Sequence, residues 1–207
     1  MKIKLIGVDP GFRNTGLSVI EYDLETRALR CVAVRFVETP PAPARKAHLI
    51  RTDADDIQRV AAAYDALARA VERARPVAMG VETYKLVGDR KAGSKMAQAG
   101  GNSFKTLYMY AAAMIAAHTH QIRIYAQHPY ELKLSMCGFV QASKEEVEAA
   151  IVKNVPGYLE AVARENVADA KREHVADATG HAVLALRTHL DLLGPDTVRA
   201  LAEAARG

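Results

Sequence analysis

The chain has 207 residues, of which half are apolar and a quarter carry a charge. This length and composition suit one globular domain with its own core, and they exclude a disordered chain or a small disulfide-stapled scaffold. No apolar run is long enough to cross a bilayer, and the first four residues predict a strand rather than a signal peptide. The net charge of +4 at pH 7 permits nucleic acid as a partner without proving it.

Cysteine usage predicts the compartment. Cys31 and Cys137 lie far apart, in apolar or mixed surroundings, so we expect two reduced thiols rather than a disulfide. Reduced thiols, together with no predicted membrane contact, predict a cytoplasmic protein.

The first third of the chain predicts three strands followed by a helix. The strand patterns cover Ile3–Asp9, Gly16–Tyr22 and Arg30–Val37 and are joined by tight turns, which is typical of an antiparallel meander. The Pro-rich stretch Glu38–Ala47 predicts an exposed loop. A helical period with an acidic start and a basic end then covers Asp55–Arg75.

The rest of the chain alternates between strand and helix patterns. "PVAMGVET" predicts a buried strand that ends at Glu82, and "IRIYAQHPYEL" predicts a strand that ends at Pro129. Further helices are predicted for Lys95–His120, for "SKEEVEAAIVKNV" with a capping box from Ser143 to Glu146, and for Leu159–Ala170, His174–Leu192 and Asp196–Arg206.

This order of elements predicts an α/β fold. We expect a mixed sheet, with three antiparallel strands followed by parallel strands, and helices on both faces. One domain would cover residues 1–192, and residues 193–207 would form a C-terminal tail with a short helix.

Acidic residues end two of the apolar strands. Asp9 closes the first strand and Glu82 closes "AMGVE", so neighbouring strands would bring the two carboxylates together at one sheet edge. "HVAD" places His174 and Asp177 three residues apart on one helical face. Clustered carboxylates repel one another unless a cation is present. Oxygen ligands suit Mg²⁺ or Mn²⁺, and two such ions about 3.5–4 Å apart can clamp an in-line phosphoryl displacement.

Each of these signals is weak alone. "DPG" is more often a turn, and a strand-end glutamate or an "HVAD" helix is often a plain surface feature. The combination, on these elements and in this order, favours Asp9 as a metal ligand. Asp169 in the similar "NVADA" is disfavoured, because an asparagine stands where "HVAD" has His174. His181 shares a face with Asp177, where a histidine more often packs or supports a ligand from behind.

Five segments together resemble the RuvC-type Holliday junction resolvases, a family with the ribonuclease H-like fold. They are "GVDPGFRNTGLSVIE", "VET", "SKMAQAGG", "ASKEEVEAAIVKNV" and "HVADATGHAVLA", which follow the family order between Lys2 and Leu190. The resemblance implies a metal-dependent endonuclease in a bacterial cell or a phage-infected host. Such an enzyme acts as a homodimer and nicks symmetric strands of a four-way DNA junction in recombination and repair.

The resemblance also implies roles for individual residues. Asp9, Glu82 and Asp177 would hold two Mg²⁺ ions, with Mn²⁺ as the alternative. The position three before the last carboxylate is Asp in some members and His in others, and His174 occupies it here. An imidazole suits Mn²⁺ better than Mg²⁺. Lys144 and Lys133 match two lysines that lie near the scissile phosphate, which makes Lys144 a candidate catalytic residue and Lys133 a candidate DNA contact.

The loop after Glu82 departs from the family pattern. Members place an aromatic residue just beyond the glutamate, where it stacks on a base at the junction centre. Here Tyr84 comes two residues later and Lys85 occupies the matching position. Stacking on an aromatic contributes about 1–3 kcal/mol per base, so Tyr84 could serve. Lys85, Arg90, Lys91 and Lys95 form a candidate phosphate track, with an ordinary solvated loop as the alternative.

The long helix carries a face of apolar residues: Phe104, Leu107, Tyr108, Ala111, Met114 and Ile115. In the resemblance this helix lines the dimer interface, while a plain core face is the simpler interpretation.

Three other functions fit part of the sequence. Actin-like ATPases and sugar kinases share the opening strand and Asp-Gly turn, but they need a second domain for which 207 residues leave no room. A non-catalytic DNA-binding module would be expected to lose one or more of the acids. A phage-type relative that cuts flaps, forks and other branched DNA stays open, because the basic loop and the Pro-rich stretch would suit it. A partner helicase is compatible with the resemblance but has no signature in the sequence.

Overall fold

The computed structural model describes residues 1–39, 54–83 and 96–204. The described strands are β1 (Lys2–Pro10), β2 (Asn14–Asp23), β3 (Leu29–Glu38), β4 (Ala78–Glu82) and β5 (Arg123–Gln127). The described α-helices are α1 (Ala54–Ala74), α2 (Met96–Thr119), α3 (Pro129–Cys137), α4 (Lys144–Asn154), α5 (Tyr158–Glu165), α6 (Arg172–Leu193) and α7 (Pro195–Ala204). A 3₁₀ turn, Asp169–Lys171, precedes α6.

The five strands form one mixed sheet in the order β3-β2-β1-β4-β5. β1, β2 and β3 pair antiparallel, whereas β4 is parallel to both β1 and β5. This confirms the predicted arrangement of three antiparallel strands followed by parallel ones. Val8 of β1 lies opposite Val81 of β4. Asp9 and Glu82 are the next residue on each strand, so they lie side by side where the pairing of β1 with β4 ends.

Helices cover both faces of the sheet, as predicted. One core cluster joins Leu5 and Ile20 to side chains of α4, α5 and α6. The other joins Ile6 and Val8 to side chains of α1 and α2. Because successive residues of a strand point to opposite faces, Leu5 and Ile6 enter different clusters. The helix α6, which carries His174 and Asp177, therefore packs on the face of the sheet that contains Leu5 and Ile20.

Glycines in three neighbouring strands let the backbone of α6 lie directly on the sheet. A Cβ atom at Gly7, Gly16 or Gly80 would lie 1.8, 2.0 or 2.2 Å from a carbonyl oxygen of α6. Those oxygens belong to Ala178, His174 and His181, respectively. This close approach fixes the distance between the backbone of α6 and the strands β1, β2 and β4.

Two predicted elements differ from the structure. The strand predicted to end at Pro129 ends at Gln127, and the helix α3, which was not predicted, begins at Pro129. Pro129 occupies the first turn of α3, and His128 with Glu131 forms a capping box. The helix predicted to reach Ala170 ends at Glu165, since Asn166 adopts a left-handed φ of 54° and closes it.

Other predictions agree with the structure. Ser143 and Glu146 form the predicted capping box at the start of α4. Cys31 and Cys137 are free thiols. In the described ranges, no helix combines the length and apolarity needed to cross a membrane. Gly194, with a φ of 75°, separates α6 from α7, and the domain boundary at residue 192 stays a prediction. Most of the Pro-rich stretch lies outside the described residues.

Candidate active site

The ends of β1 and β4 meet α3, α4 and α6 around a cavity of about 300 Å³. Its lining contains every predicted catalytic residue together with Lys133, His181 and three apolar residues: Asp9, Glu82, Pro129, Leu132, Lys133, Lys144, Val147, His174, Asp177 and His181. The fold therefore brings residues from five separate elements into one site.

Asp9 and His174 form the closest polar pair of the cavity. His174 Nδ1 lies 2.7 Å from Asp9 Oδ2, and both side chains are largely buried. His174 Nε2 lies 3.5 Å from Glu173 Oε1. The ring of Phe36 stacks on the imidazole at a centroid distance of 5.9 Å. These contacts place the imidazole between two carboxylates and link the side chain of Asp9 to α6.

Burial and mutual repulsion alter the acid–base properties of the cluster. Burial, and then the charges of Asp9 and Glu82, raise the pKa of Asp177 to about 7. Burial also raises the pKa of Asp9, although the hydrogen bond with His174 opposes that effect. Burial lowers the pKa of His174, but the hydrogen bond and the charge of Asp9 outweigh it, so this pKa lies above its ordinary value. The site concentrates negative charge that a bound cation would stabilise.

The donor set fits a hard divalent cation. Three carboxylates with one imidazole are ligands that Mg²⁺ or Mn²⁺ accepts. In the side-chain positions seen, no three His, Cys, Asp or Glu residues of the described ranges form a group that could hold an ion. Asp9 is hydrogen-bonded to His174 instead. The chemistry of the residues therefore suits the ion, and their side chains would have to adjust to ligate it.

The buried carboxylates predict how metal-free stability depends on pH. The pKa of Asp177 is about 7 in the folded chain against an ordinary 3.8. The folded state thus binds this proton more tightly, and the stabilisation is complete below about pH 4 and lost as the pH rises through about 7. We expect Tm to fall between about pH 5 and pH 8 without metal, and Mg²⁺ to raise Tm more at the higher pH.

The matched variant is Asp177→Asn, which keeps the shape and cannot ionise. Its Tm, measured by circular dichroism, should fall less over the same pH range. Equal pH dependence in the two proteins would contradict the assigned burial and crowding of this carboxylate.

Comparison with known proteins decides the family. The family model described as "Crossover junction endodeoxyribonuclease RuvC" matches residues 5–184. This chain belongs to the RuvC family. Two proteins named crossover junction endodeoxyribonuclease RuvC illustrate the relationship. The one from Treponema denticola is 25% identical over 80% of this chain and 80% of its own length. The one from Thermus thermophilus is 28% identical over 79% of this chain and 86% of its own.

Solved structures show that the fold is shared. Thermus thermophilus RuvC in complex with a Holliday junction substrate superposes with a TM-score of 0.61 at 23% identity, covering 87% of this chain and 91% of that chain. The yeast mitochondrial Holliday junction resolvase Ydc2 superposes with a TM-score of 0.57 at 11% identity, covering 86% and 75%. The sheet and its helices are therefore those of the ribonuclease H-like resolvases. RuvC-family nucleases are metal-dependent, in keeping with the carboxylate cluster.

Two lysines, Lys133 and Lys144, line the same cavity as the carboxylates, and their roles near a scissile phosphate stay predictions. Lys144 begins α4, and its Nζ lies 2.6 Å from Glu173 Oε2. The hydrogen bond with Glu173 raises the pKa of Lys144, and the charges of Asp177 and Asp9 add to this effect. Lys133 projects from α3 into the lining of the same cavity. The site therefore holds positive charge beside the acids.

The other predicted DNA contacts lie outside the described residues. They are Tyr84, Lys85, Arg90, Lys91 and Lys95, and their roles stay predictions. The described chain before them ends at Thr83, whose N–H donates to the carbonyl of Gln127 at 2.7 Å. Thr83, the last described residue before them, therefore lies next to the rim of the site.

The sequence predicted His181 as a packed or supporting residue, in agreement with the structure, but it gave no prediction for Gln127 and Glu173. His181 is fully buried, contacts Gln127 and approaches Glu82. Glu173 pairs with Lys144. The spacing of His181 from Asp177 was a usable signal. Gln127 and Glu173 have none, because their contacts depend on how elements pack.

The apolar face of α2 is not a plain core face. Tyr108, Met114 and Ile115 are 53%, 45% and 57% exposed, and Ile57 of α1 is 65% exposed. A groove of about 670 Å³ runs between α1 and α2, lined mostly by apolar side chains. The core interpretation of these side chains is wrong, and the side chain of Phe104 lies outside the described part of the chain. Exposed apolar surface of this kind favours an interface.

Proposed function

We propose that this chain is a divalent-metal-dependent endonuclease that resolves four-way DNA junctions by paired symmetric nicks in recombination and repair. The observation that carries the proposal is the cavity at the strand ends, where Asp9, Glu82 and Asp177 converge beside Lys133 and Lys144. Its relatives are named crossover junction endodeoxyribonucleases, and a solved RuvC of the same fold is bound to a Holliday junction. The cytoplasm of a bacterium or of a phage-infected host is the proposed location.

The three carboxylates would hold two Mg²⁺ ions, or Mn²⁺, with His174 assisting. Bound there, the ions would supply the Lewis acidity that activates water and stabilises the leaving 3′-oxygen. Asp9 and Asp177 must be ionised for this role. His174 would hold the carboxylate of Asp9 in position through Nδ1, and the apolar walls of Leu132 and Val147 would limit the access of bulk water.

Lys144 would stabilise the charge that develops on the scissile phosphate. Loss of one such donor costs about 10²–10³-fold in rate, so we expect Lys144→Ala to slow single-turnover cleavage by that factor. The affinity for the junction, measured in Ca²⁺, should change little. Lys153→Ala, at the exposed end of the same helix, is the matched control. Unchanged cleavage by Lys144→Ala would contradict this role.

The groove between α1 and α2 supports a homodimer. A four-way junction with two-fold symmetry requires two sites related by the same symmetry, and a dimer of this chain would provide them. The exposed side chains of Ile57, Tyr108 and Ile115 supply an apolar surface that a second copy would cover.

A charge placed in this groove should separate the protomers. We expect Ile115→Glu to behave as a monomer in size-exclusion chromatography with light scattering at micromolar concentration, because burying the new carboxylate is costly. It should also lose paired nicking. Leu159→Glu, on the exposed face of α5, is the control and should stay dimeric. A dimeric Ile115→Glu would place the interface elsewhere.

A substrate panel tests the proposed function. End-labelled four-way junction, flap, fork and linear duplex are incubated with Mg²⁺ and, separately, with Mn²⁺. Symmetric nicks confined to the junction are expected. Cutting of flaps and forks at a similar rate would favour the broader branched-DNA nuclease. No cutting of any substrate would overturn the proposal.

A further inference from the structure

A buried histidine–glutamine pair lies directly behind Glu82. His181 of α6 is fully buried and Gln127, at the end of β5, is 4% exposed. His181 Nδ1 lies 2.9 Å from the side-chain amide of Gln127. His181 Nε2 lies 3.6 Å from Glu82 Oε2 and has no hydrogen-bond partner among the residues that the structure describes. A buried polar nitrogen of this kind is costly, so its aim at a carboxylate of the site points to a function.

The neighbours of Gln127 decide which way its amide points. With the nitrogen towards His181, it donates to His181 Nδ1 at 2.9 Å and to the carbonyl of His181 at 3.1 Å. The amide oxygen then accepts from the N–H of Ala185 at 2.9 Å. The reverse orientation would set oxygen against a carbonyl oxygen and nitrogen against an N–H group. Because Nδ1 therefore accepts a hydrogen bond, the proton of the neutral imidazole lies on Nε2.

We propose that His181 is a positioning residue for Glu82, and that Gln127 fixes it as the Nε2–H tautomer. The Nε2–H group points at Glu82 Oε2 from a site closed to solvent, and a small movement of the carboxylate brings it within hydrogen-bond distance. A hydrogen-bond donor that contacts a metal-ligating carboxylate from the side away from the ion holds that carboxylate in the orientation that ligation needs. The inference rests on the proposed function in taking Glu82 as a metal ligand.

The same helix and strand offer a matched control pair. His189, two turns beyond His181 on α6, contacts the hydroxyl of Tyr125 on β5 through Nδ1 at 2.9 Å. His189 is not among the residues that line the cavity. His189→Leu therefore removes a comparable histidine without touching the site.

The tautomer is measured first, by two-bond ¹H–¹⁵N correlation on metal-free protein labelled at histidine. We expect wild-type His181 to be the single Nε2–H form. Gln127→Met, which keeps the volume and removes the amide, should give a mixture of tautomers. A wild-type His181 protonated on Nδ1, or a tautomer that is the same in Gln127→Met, would overturn the proposal.

Mg²⁺ binding is measured next, by isothermal titration calorimetry. We expect His181→Leu to bind Mg²⁺ about 10–100-fold more weakly than wild type, the range typical of such supporting contacts. His181→Gln retains an N–H donor and should recover most of the affinity, and His189→Leu should match wild type. A His181→Leu protein that is folded by circular dichroism and binds Mg²⁺ like wild type would overturn the proposal.

These readouts separate this inference from the proposed function. If wild type cuts no DNA while His181→Leu still weakens Mg²⁺ binding, the proposed function fails and the positioning role stands. If wild type resolves junctions and the tautomer and affinity are insensitive to these variants, only the positioning role fails.

Discussion

Asp9→Asn and Glu82→Gln are each expected to reduce junction cleavage by on the order of 10³-fold or more, since a metal ion contributes several kcal/mol to such a transition state. Each change replaces one oxygen ligand by an amide nitrogen and removes a negative charge at the ends of β1 and β4. In Asp9→Asn the new side-chain amide still offers an oxygen to His174, so the fold should be retained. The rate is measured under single turnover with saturating protein.

Junction affinity distinguishes lost catalysis from lost binding. Removing a carboxylate from the cavity reduces repulsion of phosphate, so both variants should bind the junction in Ca²⁺ at least as well as wild type. Asp169→Asn is the matched control, because Asp169 is 89% exposed, belongs to the similar "NVADA" and pairs with Arg172 outside the cavity. A normal rate in Asp9→Asn or Glu82→Gln would show that the reacting centre lies elsewhere.

Gly7→Ala is expected to destabilise the fold by about 3 kcal/mol or more, at the upper end of what overpacking costs. The added Cβ would lie 1.8 Å from the carbonyl oxygen of Ala178 and 2.6 Å from the amide nitrogen of Ala182, both in the backbone of α6. A helix backbone cannot yield as a flexible side chain does, so α6 must move off the sheet. Because α6 carries His174 and Asp177, the site would be lost with it.

Urea unfolding of Gly7→Ala is compared with that of the matched variant Gly138→Ala. The comparison separates the effect of the close approach between β1 and α6 from the other effects of replacing a glycine by alanine. A Cβ at Gly138 meets nothing within 4 Å, and its φ of 84° makes strain the only cost, about 1–2 kcal/mol. Gly7→Ala should therefore unfold at clearly lower urea than Gly138→Ala. Equal midpoints would mean that α6 does not rest on β1 as closely as described.

The acidic pair could be predicted from sequence because strand ends are visible there. Asp9 and Glu82 each follow an apolar run, and a helix carrying His174 and Asp177 shows the expected period. That β1 and β4 are parallel neighbours was an expectation from fold class, and the structure confirms it. The local strand patterns and the pairing of β1 with β4 agree at this point, so the predicted convergence of the two carboxylates is seen in the structure, while their roles stay predictions.

The rest depended on contacts between distant segments. Gln127 has no sequence signal, since its partners on α6 are 54 residues or more away along the chain. Helix α3 was missed because Pro129 ends a strand as readily as it begins a helix. The exposure of Tyr108 and Ile115 could not be read from periodicity, because an interface face and a core face have the same apolar pattern.

The most direct measurement of the central claim uses a supercoiled plasmid that extrudes a cruciform, incubated with the wild-type protein and Mg²⁺. Two sites that act together on symmetric strands convert the plasmid to linear DNA with paired breaks at the cruciform base. The account predicts linear product as the main species from the earliest times, and none with Asp9→Asn. Intact plasmid throughout, or nicked circles that accumulate without linear product, would contradict it.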